Sequence, residues 1–389
     1  MSVIFDRQNC TGCRACEQKC SKNAIQMQSD AEGFLYPNIN ASLCNQCGLC
    51  EKICPIYRDD LQSDVLEVFA AKSLNMEQML RSASGGIFAV LAENVLEQNG
   101  IVFGCAYDEN FVPKHIGIEN SGELHRLQGS KYVQSDTLNT YTQAKEFLEQ
   151  NRKVLYSGTP CQIAGLKAFL GKDCENLITV DLICHGVPSP GLFAKYIEWL
   201  GKKMGGKIIE YNPRSKEKNG WKFDFKIKIK TKAKTKYQNG YLDPYIRRFL
   251  GDETLRECCY SCKYACGKRT GDITIADYWG IQQAHPDFFS SNGVSAVLVN
   301  THKGKNLFEN IKNKAECIQS SFENVAKNQM MLNRLAERPV VRDYVYNNIN
   351  ESFFKISLLM KLKYFISEKK IKTIIPEKIK RKIKVIIRK

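Results

Sequence analysis

The spacing of eight cysteines near the start of the chain constrains this protein more than anything else in it. Cys10, Cys13, Cys16 and Cys20 follow the pattern C-x2-C-x2-C-x3-C, and Cys44, Cys47, Cys50 and Cys54 repeat it 34 residues later, with Pro55 next. A repeat this short reads as one small structural unit used twice. Between the copies, Gly33 and Pro37 suit a turn joining short strands. The chain holds 17 cysteines, an odd number, and its opening residues, MSVIFDRQNCTGC, lack the apolar run of a secretion signal. Thiols kept reduced in a cytoplasm and used as metal ligands are therefore expected, rather than a disulfide framework.

The run C-x2-C-x2-C-x3-C-P is the ligand spacing of bacterial [4Fe–4S] clusters. A cubane needs four converging thiolates. One tight loop with two-residue gaps supplies three of them, and the fourth comes from the other copy. Cys10, Cys13, Cys16 and Cys54 are thus expected to hold one cluster, and Cys20, Cys44, Cys47 and Cys50 a second. Ser21 stands where the first copy would carry proline, which removes no ligand. Zinc sites use paired C-x2–4-C elements and would leave the third cysteine of each loop unexplained. Residues 1–56 resemble the two-cluster bacterial ferredoxins, and two clusters imply one-electron transfer.

At 389 residues the chain is long enough for two or three domains, so some 300 residues remain to exchange electrons with the clusters. RDDLQSDVL, residues 58–66, is polar and reads as a linker. Beyond it, GIFAVLAENVLEQ from Gly86 reads as a helix and IVFGCAY from Ile101 as a buried strand. Residues 143–151 form a second helix, KVLYSG from Lys153 a strand, a further helix starts near Gln162, and NLITVDLIC ends a strand at Cys184. The expected fold is α+β and α/β. An N-terminal two-cluster ferredoxin-like domain (1–60) precedes a larger mixed α/β domain with a largely parallel sheet (65–350), and a basic helical tail follows (351–389).

Residues 222–236, KFDFKIKIKTKAKTK, alternate strictly, with Phe223, Phe225, Ile227, Ile229 and Thr231 on one face and Lys226, Lys228, Lys230 and Lys232 on the other. That is a strand with one wet face near a sheet edge, where lysine blocks aggregation. The formal charge is +16, and residues 361–389 hold twelve Lys and Arg against two acids, a net +10. Their isoleucines recur at helical spacing, so the tail either packs on the domain or lies on an anionic membrane surface. No recognition motif accompanies the charge, so no nucleic acid is expected as a partner. No run of 18 apolar residues predicts a transmembrane helix.

The other cysteines are scattered. Cys161 lies in SGTPCQIAGL between strand and helix, Cys184 in DLICHGVPSP at a strand's end, and Cys258, Cys259, Cys262 and Cys266 in RECCYSCKYACGKRTGDITIADYWGI. Strand carboxyl ends face the ligand crevice of open α/β sheets. If Cys161 and Cys184 meet Cys259 and Cys262 there, they suffice for a third [4Fe–4S] cluster, with Cys258 or Cys266 able to replace one of them. A structural zinc site at 258–266, or isolated buried thiols, are the alternatives. Cys105, Cys174 and Cys317 have no partner pattern.

Those segments, with RSASGGIFAVLAENVLEQNGIVFGCAY and GSKYVQS, resemble the family of coenzyme F420 hydrogenase/dehydrogenase beta subunits over roughly residues 65–300. The resemblance implies FAD, an additional iron–sulfur cluster, and electron exchange with a deazaflavin or another partner. The family also contains the plant 7-hydroxymethyl chlorophyll a reductase and bacterial members in polysaccharide loci, so it does not fix a substrate. No GxGxxG follows a strand and no P-loop occurs. By resemblance, FAD is expected at Ser84, Gly85 and Gly86, which open a helix where a phosphate can meet N–H groups; at Ser130, Lys131 and Tyr132; and at Thr159 and Gln162. A plain helix cap is the other reading of the first triplet. No catalytic residue is assigned. His185 sits beside Cys184, while Asp272 and Asp277 flank a strand and are expected to pair with Arg269 or cap a turn.

The expected function is an iron–sulfur flavoprotein oxidoreductase. It moves electrons between a small-molecule two-electron substrate or coenzyme at FAD, F420 among the candidates, and a redox partner protein or soluble one-electron carrier, through [4Fe–4S] clusters. The alternative is an electron-delivery subunit without turnover of its own, serving polysaccharide biosynthesis at the membrane. The expected location is cytoplasmic, or peripheral at the inner face of the membrane.

Overall fold

A computed structural model describes residues 6–230 and 235–358. Of the basic tail expected over 351–389, residues 359–389 therefore lie outside the described residues.

The N-terminal unit is small. Strands β1 (Ile25–Ser29) and β2 (Leu35–Ile39) form the expected hairpin, with Ile25 opposite Ile39. A cysteine loop runs into a short helix on either side of it, Ala15–Lys19 and Leu49–Lys52.

The large unit is built on an eight-stranded mixed sheet. Its strands are β3 (Glu67–Ser73), β4 (Ile101–Tyr107), β5 (Pro113–Ile118), β6 (Val154–Ser157), β7 (Leu177–Leu182), β11 (Ile273–Asp277), β12 (Ser295–Val299) and β13 (Ala315–Ser320), ordered β13-β3-β12-β11-β7-β6-β4-β5. The middle four, β11, β7, β6 and β4, are mutually parallel, and the flanking pairs are antiparallel. Burial explains the apolar runs: every residue of SAVLV in β12 is inside, because helices cover both faces. Val102, Leu155 and Val180 pack toward helices Ile87–Leu96 and His302–Asn310. Ile101, Phe103, Val154 and Tyr156 point the other way, toward helices Thr140–Glu149 and Pro160–Leu170. The same second face takes Cys13, Ala15 and Ile53 from the N-terminal unit, so one apolar core is shared by the two units.

A second, three-stranded antiparallel sheet consists of β8 (Ile208–Asn212), β9 (Asp224–Ile229) and β10 (Thr235–Asn239), with β9 in the middle. This corrects the expectation for 222–236. The stretch is a central strand plus the start of its hairpin partner, not a single edge strand. Phe225, Ile227 and Ile229 are buried as the alternation requires, and Lys226 on the opposite face pairs with Glu210 and Glu217. Alternation reports the two faces of a strand; edge position depends on whether strands pair on both sides, as β8 and β10 do here.

The 58–66 linker is also tied down. Ser63 and Arg269 exchange backbone hydrogen bonds of 2.9 Å each way, and Leu61 is buried. Lys263 donates to the carbonyls of Arg58 (2.7 Å) and Ile56 (3.2 Å).

Candidate metal centres and the strand-end crevice

The two cysteine loops adopt the same backbone path. The residue before the middle cysteine is left-handed in each, Gly12 at φ 69° and Gln46 at φ 57°. So is the residue after it, Arg14 at 62° and Gly48 at 70°. The copies exchange glycine for a bulkier residue at these positions and keep the turn, a strain that persists only where the surroundings demand it. The effect is to aim backbone N–H groups inward: those of Gly12, Ala15 and Glu17 meet the sulfurs of Cys10, Cys13 and Cys16, and that of Ile56 meets Cys54.

Cys10, Cys13, Cys16 and Cys54 line one cavity with Thr11, Pro55 and Ile56, and their thiols act on one another electrostatically. The fourth cysteine comes from the other copy of the repeat. Cys50 in turn faces Cys47 and Cys20, again a crossed set, and Cys44 begins the second loop as Cys10 begins the first. Burial raises the thiols of Cys10, Cys16 and Cys54 and pushes Cys13 up to about 12. Four thiolates in such a cavity repel one another, and positively charged iron is what would let them ionise together. The donor set, its spacing and the inward N–H groups fit a cubane.

A second convergence lies at the carboxyl ends of the parallel strands. Cys161 sits in the first turn of helix Pro160–Leu170 and Cys184 two residues past β7. Cys258 and Cys259 lie in the turn Glu257–Ser261, with Cys262 following. The Cys161 thiol faces Cys262, Cys184 and Cys258; Cys184 also faces Cys259. Burial pushes Cys262 up to about 12. Five thiols thus act on one another electrostatically at these strand ends, where four would suffice for a cluster, and Cys258 is hydrogen-bonded to its neighbour Cys259. Cys266 stands apart, its sulfur on the carbonyls of Lys263 (3.4 Å) and Lys268 (3.6 Å). Tyr264, buried, packs with Cys161 and Cys262 and is felt electrostatically by Cys13 and Cys54 on the other side, and its hydroxyl donates to the Pro55 carbonyl at 3.3 Å.

The residues expected at a flavin fall into two neighbourhoods. Ser84 donates to the Val294 carbonyl (2.7 Å), and a Cβ on Gly85 would stand 2.4 Å from the Ala71 carbonyl, so the turn is pressed on β3 and β12. Tyr132 stacks on Phe223 at 5.5 Å, and Lys131 donates to the Gln128 carbonyl (2.8 Å) beside Ser130, burial bringing its pKa down to about 8. Arg214 joins the two triplets. It donates to the Ala83 carbonyl and the Tyr132 hydroxyl, both at 3.1 Å. Thr159 and Gln162 lie elsewhere, in a capping box, with the Gln162 amide donating to Ser135. Gln162 is spent on its own helix start.

Residues that no sequence motif marks stand at the first neighbourhood. Arg214 is held by Asp277 at 2.8 and 2.9 Å, Trp221 donates to the same carboxylate at 2.7 Å, and Trp221 stacks on Trp279 at 5.0 Å. Lys216 donates to the Met79 and Ser84 carbonyls, and burial lowers it to about 7. Arg214 takes the Asp277 carboxylate and Lys216 adds a second buried nitrogen nearby, which suits an anionic group. No local motif marks them; the pattern R-x-K is common.

The acid pairings differ from expectation. Arg269 pairs with Asp181 at 3.3 Å, Asp272 accepts from Thr179 at 2.6 and 2.7 Å, and Asp277 belongs to Arg214. The partners are set by strand register, which one strand's sequence does not carry. His185 lies 2.8 Å from Asp252.

Residues 9–56 match the 4Fe-4S dicluster domain, and residues 151–324 match the family described as the C terminus of the coenzyme F420 hydrogenase/dehydrogenase beta subunit. The F subunit of an F(420)H(2) dehydrogenase from Methanosarcina mazei is 24% identical over 197 residues, covering 47% of this chain and 55% of that one. A coenzyme F420-dependent sulfite reductase from Methanocaldococcus jannaschii is 28% identical over 176 residues, 43% of this chain and 26% of that one. The chain therefore spans about half of the first relative and a quarter of the second. Among solved structures, a chain of the F420-reducing [NiFe] hydrogenase complex from Methanosarcina barkeri overlaps 79% of this chain and 96% of its own length, at 17% identity and a TM-score of 0.46.

Proposed function

We propose that this chain, with its match to a 4Fe-4S dicluster domain ahead of its match to the C terminus of the F420 hydrogenase/dehydrogenase beta subunit, is an iron–sulfur oxidoreductase passing single electrons between a redox partner and a two-electron site at the sheet's strand ends. The observation that carries this reading is the pair of thiol convergences bridged by Tyr264: Cys10, Cys13, Cys16 and Cys54 on one side, and Cys161, Cys184, Cys259 and Cys262 with Cys258 on the other. Clusters held there, with a third at Cys20, Cys44, Cys47 and Cys50, would supply one-electron steps, and FAD would supply conversion between one and two electrons.

The chain's own residues prepare that chemistry. The left-handed loops direct N–H groups at the sulfurs, which favours the reduced, more negative cluster. Leu61, Ala164, Ala168 and Tyr264 form an apolar cluster against Cys161 and Cys262. Arg214 and Lys216 offer buried positive charge beside Ser84–Gly86, suited to a dinucleotide's phosphates. Trp221, Trp279 and Tyr132 offer flat surfaces. The two-electron substrate is a small hydride donor or acceptor, and F420 is the first candidate because the relatives' names carry it.

The test is oxygen-free purification of the full chain with flavin assayed, followed by turnover with reduced F420, a nicotinamide and a low-potential ferredoxin. Flavin at about one per chain, with cluster bleaching by one of the two-electron donors, supports the reading. A second reading, electron delivery without turnover, is favoured by the commitment of Thr159 and Gln162 to each other. Clusters reduced by ferredoxin alone, in a chain free of flavin, select it.

A further inference from the structure

Arg256 is fully buried, at 0% exposure, and lies between the two thiol convergences. Its Nε donates to the Cys10 carbonyl at 2.8 Å, and its two terminal nitrogens donate to the Gln134 amide oxygen (3.0 Å) and the Leu35 carbonyl (2.9 Å), with the Cys10 sulfur at 3.9 Å. The guanidinium lies 4.0 Å from the centre of the Tyr36 ring and 5.3 Å from that of Phe34. On the other side its charge acts on Cys258 and Cys259. No carboxylate is among these partners. The adjacent one, Glu257, is taken by Arg338 and Arg342, and Glu32 by Arg342.

A buried cation without a counter-charge is costly, and carbonyls and ring faces offset only part of that. A [4Fe–4S] core with four thiolates carries about −2 oxidised and about −3 reduced. We propose that Arg256 is the shared counter-cation of two clusters, the one on Cys10, Cys13, Cys16 and Cys54 and the one among Cys161, Cys184, Cys258, Cys259 and Cys262, and that it raises the reduction potential of both. The proposal rests on the cluster reading above. A fixed cation stabilises the state with the added electron more than the state without it, so the potential rises. The cluster on Cys20, Cys44, Cys47 and Cys50 contributes no atom to the contacts of Arg256.

The experiment is a potentiometric titration followed by electron paramagnetic resonance on the oxygen-free full chain, with iron counted per chain. Arg256→Gln removes the charge and Arg256→Lys keeps it. Arg342→Gln is the control, because Arg342 ties Glu32 to the large domain and touches no thiol. At fixed potential, Arg256→Gln should lower the reduced-to-oxidised ratio at least tenfold for two transitions, about 59 mV for one electron, and leave the third in place. Arg256→Lys should restore most of it, and Arg342→Gln should move none. If Arg256→Gln instead sheds iron, recovery of that iron in Arg256→Lys supports the proposal. Unchanged transitions in Arg256→Gln at full iron, or Lys behaving as Gln, overturn it. A wild-type chain without iron overturns the cluster reading itself, which is a separate result.

Discussion

At the scale of single residues, the crossed ligand sets proposed above have the sharpest consequence. Cys54 lines the cavity of the first loop and Cys20 faces the second. Replacing Cys10 or Cys54 with serine should each remove about four irons per chain. The double variant Cys10→Ser/Cys54→Ser should lose no more, whereas Cys10→Ser/Cys20→Ser should lose about eight. Iron counts showing that Cys10 and Cys20 share one cluster would refute the crossing. Gly165 supplies a second case. A Cβ there would stand 2.9 Å from the Cys13 Cβ and 3.0 Å from its sulfur. Alanine gains about 1 kcal/mol of helix propensity, but overpacking costs about 1–3 kcal/mol, and here the obstacle is a short ligand side chain. Gly165→Ala should lower stability in chemical denaturation and weaken iron retention at the first site, and a variant as stable and iron-rich as wild type would show that Cys13 can yield.

At the scale of elements, β5 carries a pH dependence. His115 is 1% exposed, stacked on Tyr156 at 5.5 Å and placed between the Ser157 carbonyl (3.0 Å) and the Ser135 hydroxyl (3.2 Å). Burial lowers its pKa from 6.5 to about 4. Between those values the unfolded chain holds a proton that the folded chain does not. Stability is therefore complete above pH 6.5 and falls as pH drops toward 4, by about 3 kcal/mol. His115→Gln should flatten that limb of the urea midpoint against pH, and parallel limbs for the two proteins would remove His115 as its source. The helix at Ile87–Leu96 and strands β4, β6 and β7 follow from apolar periodicity, and the N-terminal loops from cysteine spacing. What the sequence hid was long-range pairing. Arg269 with Asp181 and Arg214 with Asp277 join residues tens of positions apart, which short-range patterns do not record, and the central place of β9 depends on its pairing with both β8 and β10.

At the scale of the whole molecule, the N-terminal unit is joined to the large domain rather than tethered to it. Arg14 pairs with Asp136, Thr137 donates to the Cys13 carbonyl at 3.1 Å, and Arg342 pairs with Glu32 at 2.7 Å. Cys13 and Ala15 sit in the core with Tyr141 and Leu166. Excised residues 1–60 should thus lose iron from the Cys10 site to a chelator well before the intact chain does; equal loss rates would mean that the interface protects nothing. Among the described residues no helix is long and apolar enough to cross a membrane.

Iron and sulfide at the three thiol groups are the premise on which the rest depends, and their count in an oxygen-free preparation of the full chain tests it most directly. About twelve irons with as many sulfides per chain is the predicted result. About eight would remove the strand-end site, and iron near zero, with zinc in its place, would contradict the premise outright.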